Sequence, residues 1–280
     1  MSDATRGLIW LSYVNTEQLD KVLSSHPDIS WVQLPFAGVD AFAEIIVRHA
    51  SPTRVFTSAK GAFAEPVAEH ALGLILAVLR FLPRRARATS WDAVPRGISL
   101  YGKNVTIIGA GGIAQELIRL LAPFRVNVTI VRRSDVALPG AQLTIPVQQL
   151  DSVLPTTDVL VVAAALTPAS RHVIGARELS LMKSTAALIN IARGPLVDSA
   201  ALVATLDAGA LIGAAVDVTD PEPLPDDHPL WSAPNMLITP HMADTPEMTA
   251  PLLAARIQTN VKSFLGGDPL VGVVDSVLGY

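Results

Sequence analysis

Three side chains late in the chain, Arg193, Glu222 and His241, are of types that together can move a proton beside a carboxylate. An imidazole titrates near neutrality and gives or takes a proton at physiological pH. A carboxylate next to it favours the imidazolium and raises its pKa. A guanidinium presents a planar fork of donors that grips a carboxylate at two points. Arg193 lies in NIARGPLVD, Glu222 in the proline-rich DVTDPEPLPDDHPLW and His241 in ITPHMAD. Taken singly, each has an ordinary reading as a solvated loop cation, an exposed turn acid and a hydrogen-bonded loop histidine. All three, however, follow predicted strands, at the edge of an open α/β sheet where ligands bind.

A second constellation precedes them. GAGGIA, residues 109–114, follows the β-branched run NVTII and opens the helical pattern IAQELIRLL. It fits G-x-G-x-x-G/A: Gly109 for the tight turn, Gly111 for close backbone approach to a pyrophosphate, and Ala114 for close helix–strand packing. With Gly112 and Ile113 it forms a helix N-terminus suited to phosphate. The next predicted strand, NVTIV, ends at Val131, where an acid for a ribose 2′-hydroxyl is expected. Arg132 and Arg133 stand there instead, followed by Ser134. A guanidinium at that place clamps the 2′-phosphate of NADP, so NADP(H) is favoured over NAD(H). The alternative is that both arginines are solvated at a strand end. Asp135 lies too far past the strand to take the acid's part.

The elements that must position these groups alternate. NVTIIGA, NVTIVR, DVLVVAAA, ALINIA, LIGAAVDV and NMLITP read as strands buried on both faces, separated by helical segments such as IAQELIRLLAPF, ARELSLM and SAALVATLDAG. This is a doubly wound parallel-sheet α/β dinucleotide-binding domain, placed at residues 65–244. Residues 1–64 read as a smaller flavodoxin-like α/β unit with strands GLIWLSYV, SWVQLPF and RVFTSA and helix TEQLDKVLSS. Residues 245–280 are assigned to the same substrate domain, with a helix that ends at Gly266-Gly267. Pro66 sits where the first-position proline of a helix belongs, ahead of a long apolar helix, VAEHALGLILAVLRFL.

Of 280 residues, half are apolar, 16% are charged, the net charge is −4 and there is no cysteine. The mild charge gives no reason to expect nucleic acid or an anionic membrane, and disulfides and thiolate metal sites are excluded. No metal cluster is expected. The apolar run ALGLILAVL is far short of the ~18 residues that span a bilayer, so the expectation is a cytoplasmic protein.

In order and spacing, LPFAGVD (34–40), PVAEHAL (66–72), Trp91, LYGKNVTIIGAGGIA (100–114), LTPASRHVIG (166–175), INIARGPLVD (189–198), GAAVDV (213–218), EPLP, HPLW and PNMLITPH resemble the D-isomer-specific 2-hydroxyacid dehydrogenase family. The resemblance runs from about Trp31 to the C-terminus. It implies that Arg193 binds the substrate carboxylate, that His241 is the general acid–base and that Glu222 pairs with the imidazole. It further implies that backbone at Ala37 and Gly38 lines the carboxylate, that Asp217 lies near the nicotinamide, and that Thr167 and Ile191 touch the cofactor. A homodimer held through Pro66 to about Gly97 is implied as well. The arginine pair is similar to that of NADPH-linked glyoxylate and hydroxypyruvate reductases, and Glu222 argues against the glutamine-bearing formate dehydrogenases. A dinucleotide-binding sensor or corepressor-like regulator without turnover is the alternative class.

Two departures stand out. The stretch before the long helix is short, so a strand–helix unit is expected to be missing. After His241 comes Met-Ala-Asp, and Asp244 is expected to disfavour a second carboxylate on the substrate.

Overall fold

The computed structural model describes residues 1–91 and 93–276. In chain order it contains β1 (Gly7–Ile9), α1 (Thr16–Ser25), β2 (Trp31–Gln33), α2 (Ala43–His49), β3 (Val55–Thr57), α3 (Ala64–Leu79), α4 (Leu82–Ala86), β4 (Asn104–Ile108), α5 (Gly112–Leu121), β5 (Asn127–Arg132), β6 (Leu143–Pro146), α6 (Leu150–Val153), β7 (Val159–Val162), α7 (Ala176–Leu181), β8 (Ala187–Asn190), α8 (Ser199–Asp207), β9 (Gly213–Val216), β10 (Met236–Ile238) and α9 (Pro246–Gly266). The chain divides into two compact units, residues 1–63 with 245–280, and residues 64–244. Residues 277–280 of the expected 245–280 segment lie outside the described residues.

The larger unit holds a seven-stranded, wholly parallel sheet ordered β10-β9-β8-β7-β4-β5-β6. Its β-branched runs are buried on both faces: Val159–Val162 and Ala187–Asn190 are buried at every position. Six of the seven strands form the 3-2-1-4-5-6 order of dinucleotide-binding sheets, so the order reverses beside β4. The register is continuous, pairing Val131 with Ile108, Ile108 with Val162, Val162 with Asn190, Asn190 with Val216 and Val216 with Ile238. Each residue just past that line therefore arrives at one common edge. Gly109, Ala163, Ile191, Asp217 and Thr239 extend the ladder there, their N–H groups bonding the carbonyls of Val131, Ile108, Val162, Asn190 and Val216 on the neighbouring strands.

Helix α3 supplies much of the packing. Its eight buried residues, from Pro66 to Leu79, cover α5, β8 and β9. Its apolar stripe is thus spent inside its own unit. The helix starts two residues before Pro66, which leaves that proline within the first turn, where its missing N–H costs nothing. At α5, Ala114 is fully buried and the small side chain lets the helix lie close to β4.

The smaller unit is a three-stranded parallel sheet, β1-β2-β3. That is the order a flavodoxin-like 2-1-3-4-5 sheet has without its second and fifth strands. The C-terminal tail adds a bridge from Val273 to Thr57 beside β3. Buried Asn260 of α9 ties that tail in: its amide donates to Gln33 Oε1 at 2.8 Å and to the Val271 carbonyl at 2.9 Å. GLIWLSYV yields only a three-residue strand, because β2 offers three partners before Leu34-Pro35 and proline has no N–H to give. Four elements were not legible from sequence: α2, α4, α6 and the edge strand β6.

Candidate functional site

The β4–α5 turn is shaped by what its glycines lack. Gly109 has φ +120°, and a Cβ there would stand 2.4 Å from the Ala163 carbonyl oxygen, so only glycine fits. At Gly111 a Cβ would meet nothing within 4 Å, so the space above the turn is open. Helix α5 starts at Gly112 without a side-chain cap. Its first N–H groups, including those of Gly112 and the half-buried Ile113, point their dipole toward that space. Beside it β5 ends in Arg132, which is half-buried and donates from Nη1 to the Val136 carbonyl at 3.3 Å. Arg133 is exposed and Ser134 half-buried. A dinucleotide fits this end: the open cradle takes the pyrophosphate, and no carboxylate terminates β5.

After β7, Thr167 is half-buried in a tight loop, its N–H bonded to Ser170 Oγ at 2.8 Å. Ile191 is buried directly after β8. Ile191 extends the same strand ends as the glycine turn by register, and Thr167 lies in the loop that follows β7.

Arg193 is held by its backbone. Buried Asn190 donates its amide to the Arg193 carbonyl at 2.9 Å and accepts the Ala192 N–H at 3.1 Å. Arg193 Nη1 donates to the Ala192 carbonyl at 2.7 Å. A Cβ on Gly194 would lie 1.9 Å from the Thr219 carbonyl oxygen. The turn after Arg193 is therefore packed backbone to backbone on the segment leading to Glu222. Asn190 and Gly194 had no role in the sequence reading, although the glycine inside ARGPL was a usable signal.

His241 and Glu222 meet: the imidazole Nδ1 lies 2.5 Å from Glu222 Oε1. An ionised carboxylate can only accept, so Nδ1 carries the hydrogen and Nε2 is the nitrogen that exchanges a proton. Both side chains are nearly half exposed, at 47% and 42%, so the pair is reachable. His241 has φ +54° and is held by its N–H bond to the Asp217 carbonyl at 2.7 Å.

Asp217 is buried, and its carboxylate is engaged by the protein. Oδ1 accepts from Thr239 Oγ1 at 2.5 Å and from the Met242 N–H at 2.9 Å; Oδ2 accepts from the Ala243 N–H at 3.0 Å. Burial pushes this carboxyl up. Hydrogen bonds from His70, Thr239 and the Met242 and Ala243 amides outweigh burial and hold it below the ordinary range. Asp244 goes the other way. Burial raises it, with Asp217 adding repulsion, against the attraction of His241 and Arg193.

Ala37 and Gly38 belong to the smaller unit, half-buried in the loop after β2. Ser58 Oγ reaches the Ala37 carbonyl at 3.4 Å. Among the described residues, no group of three or more His, Cys, Asp or Glu could hold a metal ion, and no helix is long and apolar enough to cross a membrane.

Residues 72–243 match the family described as D-isomer specific 2-hydroxyacid dehydrogenase, NAD binding domain. A glyoxylate reductase of Thermofilum pendens is 32% identical over 90% of this chain and 77% of its own length. A D-isomer specific 2-hydroxyacid dehydrogenase of Xanthobacter autotrophicus, solved with NADPH and MES, is 29% identical with a TM-score of 0.82, over 98% of this chain and 85% of its own. The NADPH-dependent glyoxylate/hydroxypyruvate reductase of Sinorhizobium meliloti, solved with NADP and sulfate, is 26% identical with a TM-score of 0.79, over 98% of this chain and 85% of its own. The regulator considered as an alternative finds no support in these matches.

Proposed function

The chain belongs to the D-isomer specific 2-hydroxyacid dehydrogenase family, and from that premise we propose that it is an NADPH-linked reductase of a small 2-oxo acid of the glyoxylate or hydroxypyruvate type. The observation that carries the reading is the Glu222–His241 contact of 2.5 Å on the sheet edge that also bears the open glycine turn. Arg193 receives the substrate carboxylate on its guanidinium fork. His241, protonated, gives the Nε2 proton to the carbonyl oxygen. Glu222 holds Nδ1–H and fixes the tautomer, which leaves Nε2 to give the proton in the reductive direction. Gly109, Gly111, Gly112 and Ile113 hold the cofactor pyrophosphate with backbone, while Thr167, Ile191 and Asp217 stand along the same edge. Bound NADPH supplies the hydride that reduces the carbonyl carbon. Hydride at carbon and proton at oxygen make the 2-hydroxy acid, and the imidazole left neutral is recharged from solvent.

Cofactor choice rests on β5 ending in Arg132, followed by Arg133, with no acid at the strand end, and two structural relatives were solved with NADP(H). Asp244 sets substrate charge: a carboxylate beside Arg193 and His241 disfavours a second carboxylate on the 2-oxo acid. We also propose a homodimer joined through the segment after α3, where Leu82, Trp91 and Val94 are 51%, 95% and 50% exposed.

The test is a spectrophotometric panel of NADPH and NADH against glyoxylate, hydroxypyruvate, pyruvate, bulkier 2-oxo acids and dicarboxylic ones. Oxidation of NADPH in preference to NADH with the small monocarboxylates is expected. Failure of every 2-oxo acid would overturn the reading.

A further inference from the structure

His241 carries a backbone that side-chain residues avoid, since φ +54° lies in the left-handed region. What holds it there is one residue acting twice. The Asp217 carbonyl accepts the His241 N–H at 2.7 Å, while the Asp217 carboxylate accepts the N–H groups of Met242 and Ala243 at 2.9 and 3.0 Å. Three consecutive amides of the turn thus end on Asp217, whose side chain is 1% exposed.

The carboxylate is in turn oriented from a distance. Thr239 Oγ1 lies 2.5 Å from Asp217 Oδ1, so its hydroxyl proton is spent on that acceptor. His70 Nε2 stands 3.0 Å from the same Thr239 oxygen and 3.5 Å from Asp217 Oδ1. Because the hydroxyl has already donated, it can only accept from the ring, which puts the proton on Nε2. A directed chain results: His70 donates to Thr239, Thr239 to Asp217, and Asp217 receives the turn. In a buried setting each donor polarises the next and strengthens its bond. His70 sits on α3, 169 residues before Thr239 in sequence.

The geometry points to His70 as a positioning residue for His241, acting through Thr239 and Asp217. This rests on the acid–base reading of His241. It also gives the histidine of PVAEHAL a chemical reason. The effect of His70 is on the angle and persistence of the turn that carries the reacting ring. Losing it frees the Thr239 hydroxyl to rotate away from Asp217, and the turn relaxes.

The test compares His70→Phe, which keeps an aromatic ring without a donor, with His70→Gln, whose amide nitrogen can stand where Nε2 does. In full-length protein, amide hydrogen exchange at Met242 and Ala243 is expected to quicken about tenfold in His70→Phe. kcat with glyoxylate is expected to fall about five- to tenfold while KM stays within about twofold, the size of one lost hydrogen bond. His70→Gln is expected to recover most of both. Melting temperatures of the two variants separate a general loss of packing from loss of the donor. Wild-type exchange in His70→Phe, or equal impairment in the two variants, overturns the inference. If wild-type protein turns over no 2-oxo acid, the functional reading fails, yet the exchange comparison still decides whether His70 holds the turn.

Discussion

At the β4–β5 end of the seven-stranded sheet the chain presents backbone; at the β8–β10 end of the same edge it presents ionisable side chains. The first end works by subtraction. Gly109 and Gly111 clear a space that an uncapped helix terminus faces, and Arg132 and Arg133 stand at the end of the next strand. The second end works by accumulation: Arg193, Asp217, Glu222, His241 and Asp244 interact within one short stretch of edge. The common strand register holds both at one level, so a dinucleotide bound at one end can reach the chemistry at the other. The two ends should therefore respond to opposite kinds of mutation, one to added atoms and the other to removed protons.

The largest effect is expected from His241→Asn, which removes the proton donor. kcat should fall by about 100-fold or more, the range for loss of a general acid, with the dissociation constant for NADPH within about twofold. Comparable losses in cofactor binding and kcat would erase the distinction between the ends. Arg133→Ala comes next: KM for NADPH should rise about tenfold to a hundredfold and KM for NADH hardly at all. Equal changes for the two cofactors would contradict a phosphate clamp.

Gly111→Ala sharpens the contrast further. The residue has φ −78°, which alanine adopts freely, and a Cβ there meets no protein atom, so the melting temperature should stay unchanged. Affinity for both cofactors should nevertheless drop about tenfold, because the methyl group occupies the space of the pyrophosphate. A lowered melting temperature would mean that the cradle is packed rather than open.

Asp244→Asn should have the smallest effect. Burial raises this carboxyl, so the folded chain bears a cost for ionising it at neutral pH, and that cost disappears where both folded and unfolded forms are protonated. The variant should melt about 1–3 °C higher at pH 7, with the gain vanishing below about pH 4. Dicarboxylic 2-oxo acids should improve by a few-fold in kcat/KM. A variant less stable than the wild type at pH 7 would contradict the direction of that shift.

What sequence made legible follows the same division. The glycine turn and the strand runs are local patterns, read from neighbours within a few residues, whereas Arg193, Glu222 and His241 stood out by residue type and by the motif around each. GAGGIA declares its own strand and helix, and the residues around Arg193 and His241 announce strand ends. Long-range partners leave no such mark. Nothing near PVAEHAL indicates that His70 faces Thr239, and nothing in GAAVDV shows that Asp217 spends both oxygens on the turn after His241. Edge elements were missed for a related reason. β6 pairs on one side only, is four residues long and ends in a proline, so its pattern never becomes a continuous apolar run.

The central claim is that this edge delivers hydride from NADPH to the carbonyl carbon of a 2-oxo acid while His241 supplies the proton. It is tested most directly by reducing glyoxylate with NADPH carrying deuterium at one or the other face of C4, followed by mass spectrometry of the glycolate. One of the two labelled cofactors should place deuterium at C2 almost completely, and the other should place none. Glycolate without label from either face, or no glycolate at all, would contradict it.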